Sequence, residues 1–155
     1  LRPQLQSIGI TSNGIKLNEA RLRELQDAGL TSINVSLDTL DEENFVKITR
    51  RKGLDRVLGV LDSAAAMGLE TKLNCVVMRG INDHELADFV GLTRNAGYDV
   101  RFIEWMPFAS NGWSKNTFVS YAEMQERIAA GYPVPLADAD GALNPNDTTK
   151  WWRAE

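Results

Sequence analysis

Lys72 is the residue of this sequence with the clearest chemical consequence. It stands in residues 70–78, where alternation sets Leu73, Cys75 and Val77 on one side and Lys72, Asn74 and Val76 on the other. An ammonium directed into an enclosed space costs several kcal/mol unless it meets an anion or water. Phosphate binding meets that demand. A Schiff base with a carbonyl substrate is a second use of such a lysine, and a stem that carries its head to water at the strand's amino end is the structural alternative.

Two other runs alternate in the same way. Ile33, Val35 and Leu37 oppose Asn34, Ser36 and Asp38, and Ile8 and Ile10 oppose Ser7, Gly9 and Thr11. The hydroxyls and amides of these polar sets suit ligand hydroxyl or amine groups, with Ser36 read as a ligand contact and Asp38 or Thr39 as the cap of a following helix. Thr11-Ser12-Asn13-Gly14 offers two hydroxyls, an amide side chain and a glycine. Its alternative reading is a plain Asn-Gly turn. In residues 100–105, Arg101 and Glu104 are an odd number of positions apart and must lie on opposite faces of a strand. One of them points inward, and parity does not say which. Arg50, Arg51, Lys52 and Arg79 read as solvated loop residues, with anion capture second, and His84, the only histidine, as a surface or capping residue. Cys75, the only cysteine, reads as an inert buried thiol. It forms no intrachain disulfide and supplies no complete metal or iron–sulfur site by itself.

Strands covered by helices on both faces are apolar on both. These runs are not, so the pattern predicts helices on one side only and an inner face that looks into a wet or ligand-filled lumen. Between the strands at 7–11, 32–37, 70–78 and 100–105 lie helical patterns. One follows Asn18 and stops at Gly29, one covers 42–49, one covers 54–67 before Gly68, and one opens at Asn82-Asp83 and closes at Gly97. Ser120 and Glu123 form a capping box for a last helix to about residue 130. Strand and helix in alternation give parallel βαβ units. A small closed barrel needs about eight strands, so the expected fold class is α/β, a partial, open TIM-like barrel of four parallel strands with helices outside. In such folds chemistry gathers at the carboxyl ends of strands. The expected organisation is a barrel portion over residues 1–130 and an irregular tail over 131–155, whose Trp151-Trp152 has nothing nearby in sequence to pack on.

A chain of 155 residues with 43% hydrophobic and 25% charged content suits one globular core. Its net charge of −4 gives no electrostatic footprint for nucleic acid, and no apolar run approaches the roughly 20 residues of a membrane helix. The chain begins at Leu1 with hardly any lead-in to a strand, and is expected to be a piece of something longer.

Several segments, taken in order, resemble one family. They are Thr11-Ser12-Asn13-Gly14; Ala28-Gly29-Leu30 leading to Ile33-Asn34-Val35-Ser36-Leu37-Asp38-Thr39-Leu40; Ile48-Thr49-Arg50-Arg51; Lys72-Leu73-Asn74-Cys75-Val76-Val77-Met78-Arg79-Gly80-Ile81-Asn82-Asp83; and Arg101-Phe102-Ile103-Glu104-Trp105-Met106-Pro107-Phe108 with Gly112-Trp113. In that spacing they resemble the GTP 3′,8-cyclases, radical S-adenosylmethionine enzymes of molybdenum cofactor biosynthesis. The likeness covers nearly the whole chain and fades after about residue 131, where Asn146-Asp147-Thr148 still matches.

The resemblance implies an incomplete six-stranded α/β barrel with two 4Fe-4S clusters. One, on an amino-terminal C-x3-C-x2-C motif, binds and cleaves S-adenosylmethionine; the other, on a carboxy-terminal extension, holds GTP. Hydrogen is taken from C3′ of GTP and the carbon radical attacks C8, giving (8S)-3′,8-cyclo-7,8-dihydroguanosine 5′-triphosphate. It further implies that Thr11 and Lys72 contact GTP, the lysine at the triphosphate, and that Ser36 and Met106 contact S-adenosylmethionine, Met106 through its main chain. Asn13, Asn34, Asn74, Arg101 and Glu104 complete the candidate set. The implied partners are GTP, S-adenosylmethionine, the downstream cyclic pyranopterin monophosphate synthase and a second copy of the protein, with no nucleic acid or membrane. The implied compartment is the cytoplasm in a bacterium or the mitochondrial matrix in a eukaryote.

Neither cysteine set is present, so these residues alone are expected to be inactive and, with open sheet edges, to self-associate or fold marginally. A lyase forming an imine on Lys72 and a non-catalytic binding module are the rival expectations.

Overall fold

A computed structural model describes residues 5–108, 111–139 and 149–154. Its elements are β1 (Gly9–Ser12), α1 (Glu19–Asp27), β2 (Ser32–Ser36), α2 (Glu42–Thr49), α3 (Leu54–Ala66), β3 (Glu70–Val77), α4 (Leu86–Ala96), β4 (Asp99–Glu104), α5 (Tyr121–Gly131), β5 (Leu136–Asp138) and β6 (Trp152–Ala154). Strands β1 to β4 form one parallel sheet in chain order, and among the described residues that sheet is open. The α/β expectation of four parallel strands holds.

The two faces of the sheet differ as the alternation requires. Ile33, Val35, Leu73, Cys75 and Val77 are fully buried and share one core with Leu22 of α1, Val57 and Leu61 of α3 and Phe89 of α4. Phe89 meets Phe102 of β4 edge-on, with ring centroids 6.1 Å apart, and this fastens α4 to the outer face. On the other face Thr11 and Ser36 are exposed, and Asn34, Lys72 and Asn74 are half-buried. Burial of apolar side chains on one side thus leaves the polar set on the other.

Local chemistry sets the helix ends. Asn18 caps α1 by accepting from the Arg21 amide at 2.9 Å, and Ser120 and Glu123 complete the expected capping box of α5. The cap of α2 is Asp41, which accepts from the Asn44 amide at 2.8 Å, and not Asp38 or Thr39 as the sequence suggested. Helix α4 begins at Leu86, later than Asn82-Asp83 predicted, because Asn82 is wholly buried and spends its amide on other segments.

The tail also differs from expectation. Strands β5 and β6 pair antiparallel, and Trp152 donates its indole N–H to the Tyr121 hydroxyl of α5 at 3.0 Å. These partners are distant in sequence, which is why local reading missed them. Asn146-Asp147-Thr148 and Pro145 lie outside the described residues.

Candidate functional site

Parallel register stacks the inward residues in rows. Gly9, Ser32 and Glu70 form the first; Thr11, Asn34, Lys72 and Asp99 the second; Ser36, Asn74 and Arg101 the third. Strands lie about 4.8 Å apart, so Thr11 and Lys72 are separated by roughly 10 Å. That is too far for one small anion to touch both and within reach of one extended nucleotide.

In the second row the Asn34 amide lies 3.4 Å from the Thr11 hydroxyl, to which it donates. Lys72 is ion-paired with Glu70, two residues earlier on the same face. The lysine side chain is only 15% exposed and the glutamate 61%, so the carboxylate is the partner free to leave. In the third row Ser36 is exposed, while the Asn74 Oδ1 and the Arg101 Nε are buried and have no hydrogen-bond partner. Buried polar atoms of this kind are costly unless something satisfies them. The Arg101 guanidinium lies over the Trp151 ring, 5.4 Å from its centroid.

Register also answers the parity question. Arg101 pairs with Asn74 on the inner face, and Glu104 lies opposite, where its carboxylate accepts from the Tyr121 amide at 2.7 Å and caps the start of α5. Glu104 therefore stands apart from the rows. Met106 follows β4 and is exposed; its carbonyl accepts from the Asn111 side-chain amide Nδ2 at 2.9 Å. Asn13 closes the turn after β1 by accepting from the Ile15 amide at 3.3 Å. Gly14, at φ +72°, packs so closely on α3 that an added Cβ would sit 3.1 Å from Val57.

Strands β2 and β3 part beyond Ser36, and two side chains fill the gap. Asp38 accepts from the Val76 amide at 2.9 Å, taking the place of a strand carbonyl. Asn82 donates to the carbonyls of Asp38 at 2.5 Å and Val76 at 2.8 Å, and accepts from the Met78 amide at 2.7 Å. Glu85 then holds the chain after Asp38 by accepting from the Thr39 hydroxyl at 2.7 Å and the Leu40 amide at 2.5 Å. Burial raises the Asp38 carboxyl above its ordinary range, against the opposing effect of the Val76 amide. This clamp fixes Ser36 at the rim. Sequence reading took Asp38 as an inward ligand contact or a helix cap and Asn82 as a helix start, since short polar residues at loop starts usually serve that end.

Arg79 is likewise no solvated loop residue: it donates to the Phe118 carbonyl at 2.9 Å and to Glu123 at 2.7 Å, tying the loop after β3 to α5. The Arg79 hydrogen bond, followed by that from the Ser120 amide, holds the Glu123 carboxyl below the usual range. Arg50, Arg51 and Lys52 are exposed, as is His84. A groove of about 660 Å³ between the loop after β1 and α3 includes none of the candidate residues.

A family model described as the radical SAM superfamily matches residues 2–93. The chain belongs to the radical SAM superfamily. Among its relatives, "Molybdenum cofactor biosynthesis protein 1" of Drosophila melanogaster is 47% identical over 148 residues, which are 96% of this chain and 26% of that protein. "GTP 3′,8-cyclase, mitochondrial" of Arabidopsis thaliana is 47% identical over 147 residues, 94% of this chain and 37% of that one. The chain thus spans between about a quarter and somewhat over a third of the length of these relatives. A radical SAM methyltransferase from Sphaerobacter thermophilus shares the fold, with a TM-score of 0.61 at 15% identity, over 83% of this chain and 38% of that one.

Radical SAM membership implies S-adenosylmethionine and an iron–sulfur cluster. The cluster does not fit these residues: among those described, no group of three His, Cys, Asp or Glu could hold a metal. Cys75 is fully buried beneath the outer helices, and burial, with the Asp38 and Glu85 carboxylates, pushes its thiol far up, against the thiolate a cluster needs. The inner face fits a polar organic ligand better, since Asn74 and Arg101 hold an acceptor and a donor unpaired there. No helix among the described residues is long and apolar enough to cross a membrane.

Proposed function

We propose that this chain is the central part of a GTP 3′,8-cyclase, whose inner sheet face carries GTP and S-adenosylmethionine side by side. The observation that carries the reading is the row Thr11, Asn34, Lys72, a hydroxyl, an amide and an ammonium in register on one polar face, joined to the names of the relatives. Lys72 neutralises the triphosphate by exchanging Glu70 for phosphate oxygens, and Thr11 offers a hydroxyl to the same nucleotide. Ser36 and the main chain of Met106 contact S-adenosylmethionine, and Arg101, on the strand next to Lys72, adds a second positive charge for GTP with Asn74 beside it. Holding both ligands on one rigid sheet sets their reacting atoms in a fixed relation.

The one-electron chemistry that joins C3′ to C8 of GTP is supplied by the cofactors of the whole protein, two 4Fe-4S clusters on cysteines outside these 155 residues. On this reading the central part does not turn over by itself. The product passes to cyclic pyranopterin monophosphate synthase, and the whole protein works as a homodimer in the bacterial cytoplasm or the mitochondrial matrix. An ammonium held by a carboxylate favours anion binding over imine formation at Lys72.

The test is anaerobic turnover by the full-length protein with reconstituted clusters, GTP and S-adenosylmethionine, followed by mass spectrometry of the nucleotide. The reading expects the cyclic triphosphate and its loss in Lys72→Met. Cleavage of S-adenosylmethionine with no change in GTP would contradict it.

A further inference from the structure

Trp151 is the only described aromatic residue set against a cation of the candidate rows, and its position has no local cause. It comes from the segment leading into β6, more than 45 positions along the chain from β4. Three observations meet there. The guanidinium carbon of Arg101 is 5.4 Å from the centroid of the indole, within the range of a cation–π contact. The Arg101 Nε and the Asn74 Oδ1, register partners on the inner face, are buried and unpaired. No carboxylate among the described residues forms an ion pair with Arg101, although Lys72 has Glu70, Arg79 has Glu123 and Arg127 has Asp83.

A guanidinium with no carboxylate is free to sweep through many rotamers, and each one lost on binding weakens the complex. The face of an indole holds the cation without neutralising it and without occupying the N–H donors. The arrangement keeps a full positive charge beside Asn74 and leaves the donors for a ligand.

We propose that Trp151 is a positioning residue for Arg101, stacking its guanidinium so that it meets the anionic part of GTP on the inner face. This rests on the reading that the inner face binds GTP. Trp151 touches no reacting atom; it sets the orientation of the residue that touches the ligand. The hairpin is thereby part of the binding face, held in place by the Trp152 bond to Tyr121 and by Lys150 lying 4.6 Å from the centroid of the same tyrosine ring.

The experiment measures equilibrium binding of GTP to the full-length protein. Trp151 is replaced by Phe, by Leu and, site-specifically, by tryptophans of increasing fluorination, which weaken the ring's attraction for a cation with little change of shape. Affinity is expected to fall stepwise with fluorination, to about five- to tenfold for Trp151→Leu, with Trp151→Phe between the parent and Trp151→Leu. In an Arg101→Met background, itself weaker for GTP, the fluorination series is expected to be flat. Should Trp151→Leu fail to fold, the fluorinated series still decides. Lys72→Met separates the two ideas: if it weakens GTP binding while fluorination does nothing, the role of Trp151 is overturned and the nucleotide reading stands. A fluorination effect that persists in Arg101→Met would also overturn it, and an unmodified protein that binds no GTP would sink both.

Discussion

Lys72 and Glu70 pair across two positions of β3, and both side chains lie on the inner face of the sheet. The strand's pleat places them on one side, and the difference in exposure decides which one can move. The lysine is the fixed charge and the glutamate its removable counterion.

Replacement of Glu70 by Gln should therefore strengthen GTP binding. With its carboxylate exposed and screened by solvent, such a pair contributes about 0–1 kcal/mol, so the expected gain is up to about fivefold, shrinking as salt rises. Titration of the full-length protein at two ionic strengths checks this. Weaker binding in Glu70→Gln would mean that the carboxylate contacts the ligand or orients Lys72 for it.

Asp38 should make stability depend on pH in a direction unusual for an aspartate. Burial raises its carboxyl from an ordinary value of 3.8, so the folded state holds that proton more tightly than the unfolded chain. Its contribution is complete below pH 3.8 and is lost as pH rises through the raised value. Asp38→Asn keeps an oxygen for the Val76 amide and removes the buried charge, so it should match or exceed the parent at pH 7 and flatten this part of the profile. Asp38→Ala leaves that amide unpaired and should cost about 1–3 kcal/mol. Denaturant unfolding of the three proteins from pH 4 to 8 is the check, and an Asp38→Asn protein that loses stability relative to the parent as pH rises would contradict the account.

Gly14 and Gly59 should respond oppositely to alanine. At Gly14 the backbone is left-handed at φ +72° and the new Cβ would press on Val57, so Gly14→Ala should cost about 1–2 kcal/mol. At Gly59, inside α3, nothing lies within 4 Å of the new atom, and Gly59→Ala should stabilise by about 0.5–1 kcal/mol. Midpoints of chemical denaturation compare the two directly. Equal effects would remove the close approach of the β1 turn to α3 from the account.

Much of the fold was legible because its signals are local. Alternation in residues 32–37 and 70–78 is a two-residue pattern, and the Ser120 and Glu123 box is a three-residue one. The rows of the candidate site followed from the same alternation, although which of Arg101 and Glu104 points inward needed the register with Asn74. What stayed hidden depends on contacts between distant segments. Asp38 bonds a strand 38 positions away, Asn82 reaches back 44 positions to Asp38, and Trp151 finds Arg101 only once the hairpin has folded against α4 and α5. A buried Asn and a helix-starting Asn look alike in sequence, because both are short polar residues beside a turn. Only the burial of Asn82 separates them.

The most direct measurement compares two lysines. Lys72→Met and Lys47→Met remove the same charge, one from the inner row and one from the exposed surface of α2. Equilibrium binding of GTP to the full-length protein should weaken at least tenfold in Lys72→Met, because charge-assisted bonds to phosphate are lost, and stay within about twofold of the parent in Lys47→Met, where only a screened distant charge is removed. Equal affinities in the parent and Lys72→Met, with both proteins folded, would contradict the claim that the polar inner face of this sheet is the nucleotide site.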